Sequence, residues 1–164
     1  CYTCNFYRTL IAVLLLIAYL LGSIPTSVWI GKAFYNIDVR EFGSGNAGAT
    51  NTFRVLGRGA GIPVLIIDIL KGTAAVALAW FSGFENQSDE FINLQLGLGV
   101  AALMGHIFPV FAGFRGGKGV ATMLGIVVCI VPFSCALALL VFLTVLFSTR
   151  IVSLSSMIAG LTFP

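Results

Sequence analysis

The residues from Leu10 to Ile30 form an uncharged run of 21, and this run limits the possible folds more than any other feature. A helix needs about 20 mostly apolar residues to cross the hydrocarbon core of a bilayer. The run also exceeds the apolar region of a secretory signal peptide, which is about 7 to 15 residues long. In the whole chain of 164 residues, 59% are hydrophobic and 9% are charged, whereas soluble domains carry roughly 25% charged residues. We therefore expect an integral membrane protein whose first span stays in the mature chain.

Further apolar segments predict an all-α, compact polytopic helix bundle. Gly59 to Trp80 and Ile92 to Phe111 are each long enough for one span. The uncharged run from Val120 to Thr149 would be about 45 Å long as one helix. Pro132 removes a backbone donor near its middle, so we expect two spans with a break there, the first starting in the preceding glycine turn. Residues 151–164 would reach only about 21 Å. We therefore expect a single membrane domain over residues 1–164, with about five complete spans and a partial sixth.

The distribution of charge predicts the orientation in the bilayer. Lys and Arg concentrate in three loops that this arrangement places on one face, at about residues 32–58, 113–119 and 148–150. The loop at residues 81–91 contains three acidic residues and no Lys or Arg. Because cytoplasmic loops carry the excess of Lys and Arg, we expect the three basic loops in the cytoplasm and the N-terminus outside it.

The densest polar motif is the run Gly43-Ser-Gly-Asn-Ala-Gly-Ala-Thr-Asn51, followed by Arg54. Closely spaced glycines let the backbone turn several N–H groups toward one point, which makes an anion site. The guanidinium of Arg54 has a fork that matches phosphate geometry. The alternative is a flexible polar loop, which would more often contain Lys, Glu and Pro. Neutral donors and acceptors come from Ser44, Asn46, Thr50 and Asn51.

A second glycine-rich motif, Gly113-Phe-Arg-Gly-Gly-Lys-Gly119, precedes a predicted helix. Backbone donors, the helix dipole and Lys118 would favour an anion there. It is not a Walker loop, because that motif needs Ser or Thr after the lysine and this chain has Gly119, so ATP hydrolysis is disfavoured. The alternative is a tight turn with an interfacial lysine.

Three ionisable residues fall inside predicted spans. Asp68 and Lys71 are three residues apart, so they share a helix face and can pair. Such residues are candidates for function, and a structural ion pair is an equal alternative. His106 precedes Pro109 by one turn and is a candidate base, phosphate donor or packed polar group.

The sequence predicts no metal site. Cys1 and Cys4 have the spacing of metal ligands, but a structural zinc needs four ligands and His106 is remote in sequence. Cys129 and Cys135 lie in apolar sequence, where cysteine behaves as a small hydrophobe.

Three motifs together resemble the bacterial acyl-phosphate:glycerol-3-phosphate acyltransferase family, the PlsY type. They are GSGNAGATNTFRVLG at 43–57, DILKG at 68–72 and GHIFPVFAGFRGGKGVAT at 105–122. The resemblance covers nearly the whole chain, from about Tyr19 to Ser156. It implies a seven-helix bundle in the bacterial inner membrane, with an active site that faces the cytoplasm.

The resemblance also implies a reaction. Members transfer a fatty acyl group from acyl phosphate to the 1-hydroxyl of sn-glycerol 3-phosphate, giving lysophosphatidic acid and phosphate in the first acylation of phospholipid synthesis. It implies contact with membrane lipid, and no cofactor, metal, nucleic acid or obligate protein partner. The chemistry fits, because acyl transfer from a mixed anhydride needs positioning and charge stabilisation more than a strong nucleophile. A substrate phosphate oxygen or a nearby polar group would assist as base; an acylated Ser44 is the competing hypothesis, but no Ser-His-acid constellation is evident.

Roles for individual residues follow from the same resemblance. The residues implied in catalysis are Ser44, Asn46, Arg54 and Lys118. The residues implied in substrate binding are Gly45, Thr50, Asn51, Lys71, His106, Gly116, Gly117, Gly119 and Ser153.

The family usually continues past a serine like Ser153 to a cytoplasmic motif that contains His, Glu and Asn. We therefore expect this chain to be C-terminally incomplete relative to the family. Two other classes of function stay open, a transporter or channel for a phosphorylated metabolite and a membrane scaffold. Polar loops on one face and the lack of an inverted repeat disfavour the transporter.

Overall fold

In the computed structural model of this chain, the backbone is described for residues 2–162 and the side chains for residues 5–151 and 154–162. The described residues form helices joined by loops and short 3-10 turns, without a strand, which confirms the all-α prediction. Four segments are long and apolar enough to cross a membrane: Asn5–Tyr35, Arg58–Phe81, Asp89–Ala112 and Pro132–Thr149. The helices are α1 (Tyr2–Gly22), α2 (Thr26–Tyr35), α3 (Ala49–Leu56), α4 (Arg58–Ala77), α5 (Asp89–Ile107), α6 (Val120–Ile130), α7 (Pro132–Thr149) and α8 (Val152–Leu161).

The chain divides into two compact units, one ending at Ile126 and the other starting at Val127. The second unit contains α7 and α8, and Arg150 ends α7 in the left-handed conformation, with φ of 58°. The loop predicted at about residues 148–150 therefore overlaps the end of α7, whose last residue is Thr149. A single membrane domain, the face of the bilayer and the outside position of the N-terminus stay predictions.

The first predicted span, Leu10 to Ile30, is not one helix. It divides into α1 and α2, because Pro25 has no backbone N–H and disfavours the helical conformation for Ile24. The break leaves the carbonyl of Ile24 outside the helical hydrogen bonds, where Lys71 Nζ donates to it at 2.9 Å.

The predicted break at Pro132 is confirmed, since α6 ends at Ile130 and Pro132 is at the start of α7. The prediction that α6 begins within the glycine turn is wrong, because its first residue is Val120. Gly116 and Gly117 instead donate their N–H groups to the end of α5. With 11 residues, α6 is about 16 Å long, too short to cross alone. The described chain therefore has four helical segments of crossing length rather than five.

Small residues bring the helices of the first unit close together. Gly105 of α5 lies against the Tyr19 carbonyl of α1, and Gly72 of α4 lies against the Thr122 carbonyl of α6, with no room for a methyl group at either glycine. Thr73 Oγ1 adds a hydrogen bond of 3.0 Å to the Gly125 carbonyl. Such contacts are common between membrane helices, because small side chains let backbones approach. They fix α4, α5 and α6 beside the polar loops.

The two basic loops of the first unit meet at one end of its helices. The N–H of Ala47 in the first loop donates to the carbonyl of Gly116 in the second, at 3.3 Å. Tyr7, near the start of α1, stacks on Phe84 in the acidic loop, with ring centroids 6.0 Å apart. Since α4 and α5 separate the acidic loop from the basic ones, the acidic loop lies at the other end of these helices from the two basic loops.

Candidate functional site

A cavity of about 410 Å³ lies where the two basic loops meet in the first unit. Its volume is within the range of about 300–1,000 Å³ found for ligand pockets. Nine predicted site residues line it: Ser44, Asn46, Thr50, Asn51, Arg54, Asp68, His106, Lys118 and Gly119. The lining does not include Gly45, Lys71, Gly116 or Gly117. The side chain of Ser153 lies outside the described residues.

Asn51 gives the first loop its shape. Its side-chain oxygen accepts a hydrogen bond of 2.8 Å from the N–H of Ser44. Its amide nitrogen donates to the carbonyls of Val39, at 2.8 Å, and Phe42, at 3.1 Å. Both amide hydrogens are thus used inside the protein, and the residue is only 1% exposed. Asn51 was predicted to bind substrate; the geometry makes it the residue that holds Ser44 at the cavity.

Two helices begin at the cavity wall. The helix α3 starts at Ala49 and α6 starts at Val120, and both residues line the cavity. The first turn of a helix leaves N–H groups without partners inside the helix, and the dipole makes that end positive. No side chain caps α3. The pair of helix N-termini therefore provides backbone donors for an anion.

The second loop is bound to the end of α5. The N–H of Gly116 donates to the backbone carbonyl of Ile107 at 3.1 Å, and the N–H of Gly117 donates to the backbone carbonyl of His106 at 3.2 Å. These two amides were predicted to cradle a phosphate, but they are already engaged with backbone carbonyls. The donors that this loop offers the cavity are consequently the side chain of Lys118 and the start of α6.

Arg54 and Lys118 are the cations of the cavity wall. Both side chains are exposed. Among the salt bridges of the described residues, none includes either side chain, whereas Lys32, Arg40 and Lys71 all contact a carboxylate. A guanidinium and an ammonium are thus open to a dianionic group such as a phosphate ester.

A buried ion pair lies behind this wall. Asp68 Oδ1 is 3.0 Å from Lys71 Nζ, so the predicted pairing along one helix face is confirmed. Thr26 Oγ1 donates to the same carboxylate at 3.2 Å. The ammonium of Lys71 also donates to the carbonyl of Ile24 in the break between α1 and α2, and Lys71 is 5% exposed. The ammonium therefore joins α4 to the broken helix.

His106 connects the buried pair to the second loop. Its Nδ1 lies 3.2 Å from Thr122 Oγ1 and 3.9 Å from Asp68 Oδ1. On the other side of the ring, Nε2 faces Gly117 so closely that the glycine has no room for a side chain. The residue is packed and polar at once, which agrees with one of the three predicted roles. Thr122 follows the second motif but was not predicted as a site residue.

Sequence reasoning also missed Asp38 and Arg40. The guanidinium of Arg40 donates from Nε to Oδ1 of Asp38 at 2.9 Å and from Nη2 to Oδ2 at 2.7 Å. Hydrogen bonds from Arg40 hold the pKa of Asp38 well below its usual range, and the Asp38 carboxylate raises the pKa of Arg40. The spacing Asp-x-Arg before the glycine motif was the available signal.

The described residues contain no group of three or more His, Cys, Asp or Glu side chains placed to hold a metal ion. Cys1 and the side chain of Cys4, whose spacing raised that question, lie outside the described residues. Cys129 and Cys135 are free and half-buried.

Comparison with known sequences gives a family. A family model described as glycerol-3-phosphate acyltransferase matches residues 12–164. A glycerol-3-phosphate acyltransferase of Enterococcus faecalis is 52% identical over 150 residues, which are 92% of this chain and 66% of that protein. One of Listeria monocytogenes is 53% identical over 146 residues, covering 89% of this chain and 72% of that protein. This chain therefore spans about two thirds of the length of the Enterococcus relative.

Two solved structures have a similar fold. Both are crystal structures of PlsY (YgiH), described as an integral membrane glycerol 3-phosphate acyltransferase. Its glycerol 3-phosphate form has a TM-score of 0.73 at 40% identity, over 93% of this chain and 73% of that one. Its lysophosphatidic acid form has a TM-score of 0.69 at 38% identity, over 93% and 72%. With its apolar helices, the chain is a multi-pass membrane protein, and it belongs to the glycerol-3-phosphate acyltransferase family.

Proposed function

We propose that the protein transfers a fatty acyl group from acyl phosphate to the 1-hydroxyl of sn-glycerol 3-phosphate, giving lysophosphatidic acid and inorganic phosphate. The reaction takes place at the cytoplasmic face of the bacterial inner membrane, with the N-terminus outside. The observation that carries the proposal is the cavity, in which two helix N-termini, Arg54 and Lys118 adjoin apolar side chains. A phosphate ester and an acyl chain need these two surroundings side by side.

The acyl phosphate binds along the first loop. Its phosphate lies near Arg54, the hydroxyl of Thr50 and the start of α3, while Ser44 and Asn46 donate to the reacting carbonyl. Leu65 and Leu124 line the same cavity, so the first carbons of the acyl chain have an apolar surface to contact. Burial of such carbons is favourable by about 0.8 kcal/mol per CH₂ group.

Glycerol 3-phosphate binds at the second loop. Its phosphate accepts from Lys118, from Gly119 and from the start of α6, whose first residue is Val120. The relative solved in a glycerol 3-phosphate form supports this choice of acceptor. Ser153 is a further proposed contact, on the resemblance alone.

Other predicted residues act from behind the substrates. Asn51 shapes the first loop, and Gly45 forms its turn with φ of 71°. The backbone of Gly116 and Gly117 holds the second loop against His106, and Lys71 neutralises Asp68. These groups position the donors that contact substrate.

The reaction is a direct transfer. The 1-hydroxyl oxygen bonds to the acyl carbon, the bond from that carbon to the phosphate oxygen breaks, and the hydroxyl proton leaves on the released phosphate. Arg54 and nearby N–H groups stabilise the charge that develops. An acylated Ser44 is less well supported, because the described contact of its Oγ is with Asn46 Nδ2 at 3.4 Å rather than with a histidine base.

The test is phosphate release by the purified protein given palmitoyl phosphate, with and without glycerol 3-phosphate, alongside quantification of lysophosphatidic acid. Two forms are compared, this chain and the same chain extended by the C-terminal part of the Enterococcus relative. Arg54→Ala and Lys118→Ala are the test variants. Arg58→Ala and Arg115→Ala are matched controls, because both are exposed cations outside the cavity lining.

We expect release that depends on glycerol 3-phosphate, with equimolar lysophosphatidic acid. At a glycerol 3-phosphate concentration below the wild-type KM, release should fall strongly in both test variants and stay at the wild-type rate in both controls. If neither form releases phosphate but vesicles take up glycerol 3-phosphate saturably, the protein is a transporter instead. Acyl-enzyme trapped on Ser44 after acid quench would replace direct transfer by a two-step route.

A further inference from the structure

We infer that Arg40 is a positioning residue that fixes the first loop of the cavity against the second, and so sets the distance between the two substrates. The inference rests on the proposed function for its kinetic consequence, but its structural part stands on contacts alone. In the sequence, Arg40 was only one of several positive charges, and it does not line the cavity.

The guanidinium of Arg40 divides its donors between the two loops. Nε and Nη2 bind the carboxylate of Asp38 in the first loop, and Asp38 also accepts from the N–H of Arg40 at 3.0 Å. Nη1 donates to the carbonyl of Ala112, the residue before the second loop, at 2.7 Å, and to the carbonyl of Arg115 within that loop at 3.4 Å. The planar fork of a guanidinium matches a bidentate carboxylate and leaves further donors for a carbonyl.

The pair is shielded enough to be rigid. The side chain of Arg40 is 15% exposed and that of Asp38 is 11% exposed. Charge-assisted hydrogen bonds of this kind are roughly twice as strong as neutral ones. A second contact between the loops lies nearby, since Ala47 N–H donates to Gly116, and Gly48 is adjacent to Gly117.

Each loop is otherwise supported from within. Asn51 holds the first loop through Val39, Phe42 and Ser44. The second loop depends on the end of α5 through Gly116 and Gly117. Loss of Arg40 should therefore leave both loops folded and release one from the other.

The kinetic consequence is unequal for the two substrates. Acyl phosphate contacts mainly the first loop, so its KM should change little. Glycerol 3-phosphate has its phosphate at Lys118 and its 1-hydroxyl at the carbonyl held by the first loop, so it contacts both loops. A shift of about 1 Å between them costs up to about 100-fold in reaction rate.

The structural test is hydrogen–deuterium exchange of the substrate-free protein in micelles, for wild type, Arg40→Ala, Arg40→Lys and Arg115→Ala. In Arg40→Ala we expect faster exchange in peptides with Ala47, whose N–H crosses to the second loop, and unchanged exchange in α4, in α5 and at Gly116–Gly117, whose N–H groups donate to the end of α5. Arg40→Lys should give an intermediate result, because one ammonium replaces part of the fork. The side chain of Arg115 is exposed and has no described ion pair, so its removal should change nothing.

Unchanged loop exchange in Arg40→Ala would overturn the inference, and so would a uniform increase throughout the first unit, which is the result of general destabilisation. If Arg40→Ala does not fold, the decision passes to Arg40→Lys. These results do not depend on activity, so they hold even if the protein fails to transfer acyl groups.

The kinetic test uses the same variants with palmitoyl phosphate as donor. We expect the KM for glycerol 3-phosphate to rise by about tenfold or more in Arg40→Ala, with the KM for the donor within about twofold of wild type. A fall in kcat that matches a smaller folded fraction, with both KM values unchanged, would mean fewer folded molecules and would contradict positioning. An equal rise in both KM values would also contradict it.

Discussion

Lys71 and Lys118 are the same residue type in one unit of the protein, yet their surroundings differ. Lys71 is 5% exposed, and its ammonium contacts the Asp68 carboxylate and the Ile24 carbonyl. Lys118 is exposed in the cavity wall, where none of the described ion pairs includes it. Asp68 and Arg54 differ in the same way, since Asp68 is buried with partners and Arg54 is open.

The difference separates charges that hold the fold from charges that are available to a ligand. A buried charge is costly unless it is paired and hydrogen-bonded, so Asp68 and Lys71 depend on each other. An exposed charge contributes little to stability and keeps its hydrogen-bonding capacity for a substrate. Substitutions should therefore affect stability at the first pair and substrate binding at the second.

The largest expected effect is on stability and comes from breaking the buried pair. Lys71→Met should lower the free energy of unfolding by about 3–5 kcal/mol, because it leaves the Asp68 carboxylate buried without its counter-ion. Thermal unfolding in detergent, followed by tryptophan fluorescence, measures this. The double variant Asp68→Leu with Lys71→Met should recover most of the loss. Equal stability of Lys71→Met and wild type, or a double variant less stable than either single one, contradicts the assignment.

The second effect is on binding and comes from the open cations. Lys118→Ala should raise the KM for glycerol 3-phosphate by roughly 10- to 150-fold, which corresponds to losing one hydrogen bond to a charged group worth about 1.5–3 kcal/mol. Steady-state kinetics of lysophosphatidic acid formation checks this. The melting temperature should stay that of wild type, and Arg115→Ala should match wild type in both measurements. A large loss of stability in Lys118→Ala would place this lysine with Lys71 instead.

A third effect tests the contact between the buried groups and the second loop. In Gly117→Ala the new methyl group meets His106 Nε2 on one side and the Ala47 carbonyl, at 2.9 Å, on the other. We expect a destabilisation of about 1–3 kcal/mol, as for other overpacked sites. Gly59→Ala in α4 is the control, because its nearest neighbour is Tyr35 Oη at 3.7 Å. Similar unfolding temperatures for both variants would show that the loop is not held by His106.

Much of this arrangement was predictable from the sequence, and the exceptions have physical reasons. Hydropathy predicted the helical class. The missing backbone donor of Pro132, together with the distribution of charge, predicted the break there, and the charges placed the basic loops on one face. The break at Pro25 was missed because the run from Leu10 to Ile30 is uncharged and has the length of one span, and a length argument does not register one proline. Lys71 was grouped with the substrate contacts. Helical spacing shows that Lys71 neighbours Asp68, but it does not show that the carbonyl of Ile24, in the break between α1 and α2, accepts a hydrogen bond from the lysine.

Contacts over long sequence separations account for the remaining misses. Arg40 reaches Ala112 across 72 residues, and no pattern near Arg40 indicates which carbonyl it meets. Asn51 was read as a substrate donor because its motif is rich in glycine, whereas its bonds to Val39 and Phe42 depend on how the loop folds back. Residue type thus predicted the chemistry of the loops better than the partner of each side chain.

The smallest expected effect concerns Asp38, whose half-buried carboxylate is intermediate between the buried and the exposed charges, and this effect is lost at acid pH. Its pKa is lowered by hydrogen bonds from Arg40, so this pair stabilises the fold above the pKa of the unfolded chain, about 3.9. Its contribution is lost as the pH falls from about 4 toward the lower folded-state pKa. Asp38→Asn should therefore be less stable than wild type at neutral pH, and the difference between their unfolding temperatures should be constant above about pH 5 and narrow below about pH 4. A difference that instead widens toward acid pH would mean that the carboxylate does not stabilise the loop in its charged form.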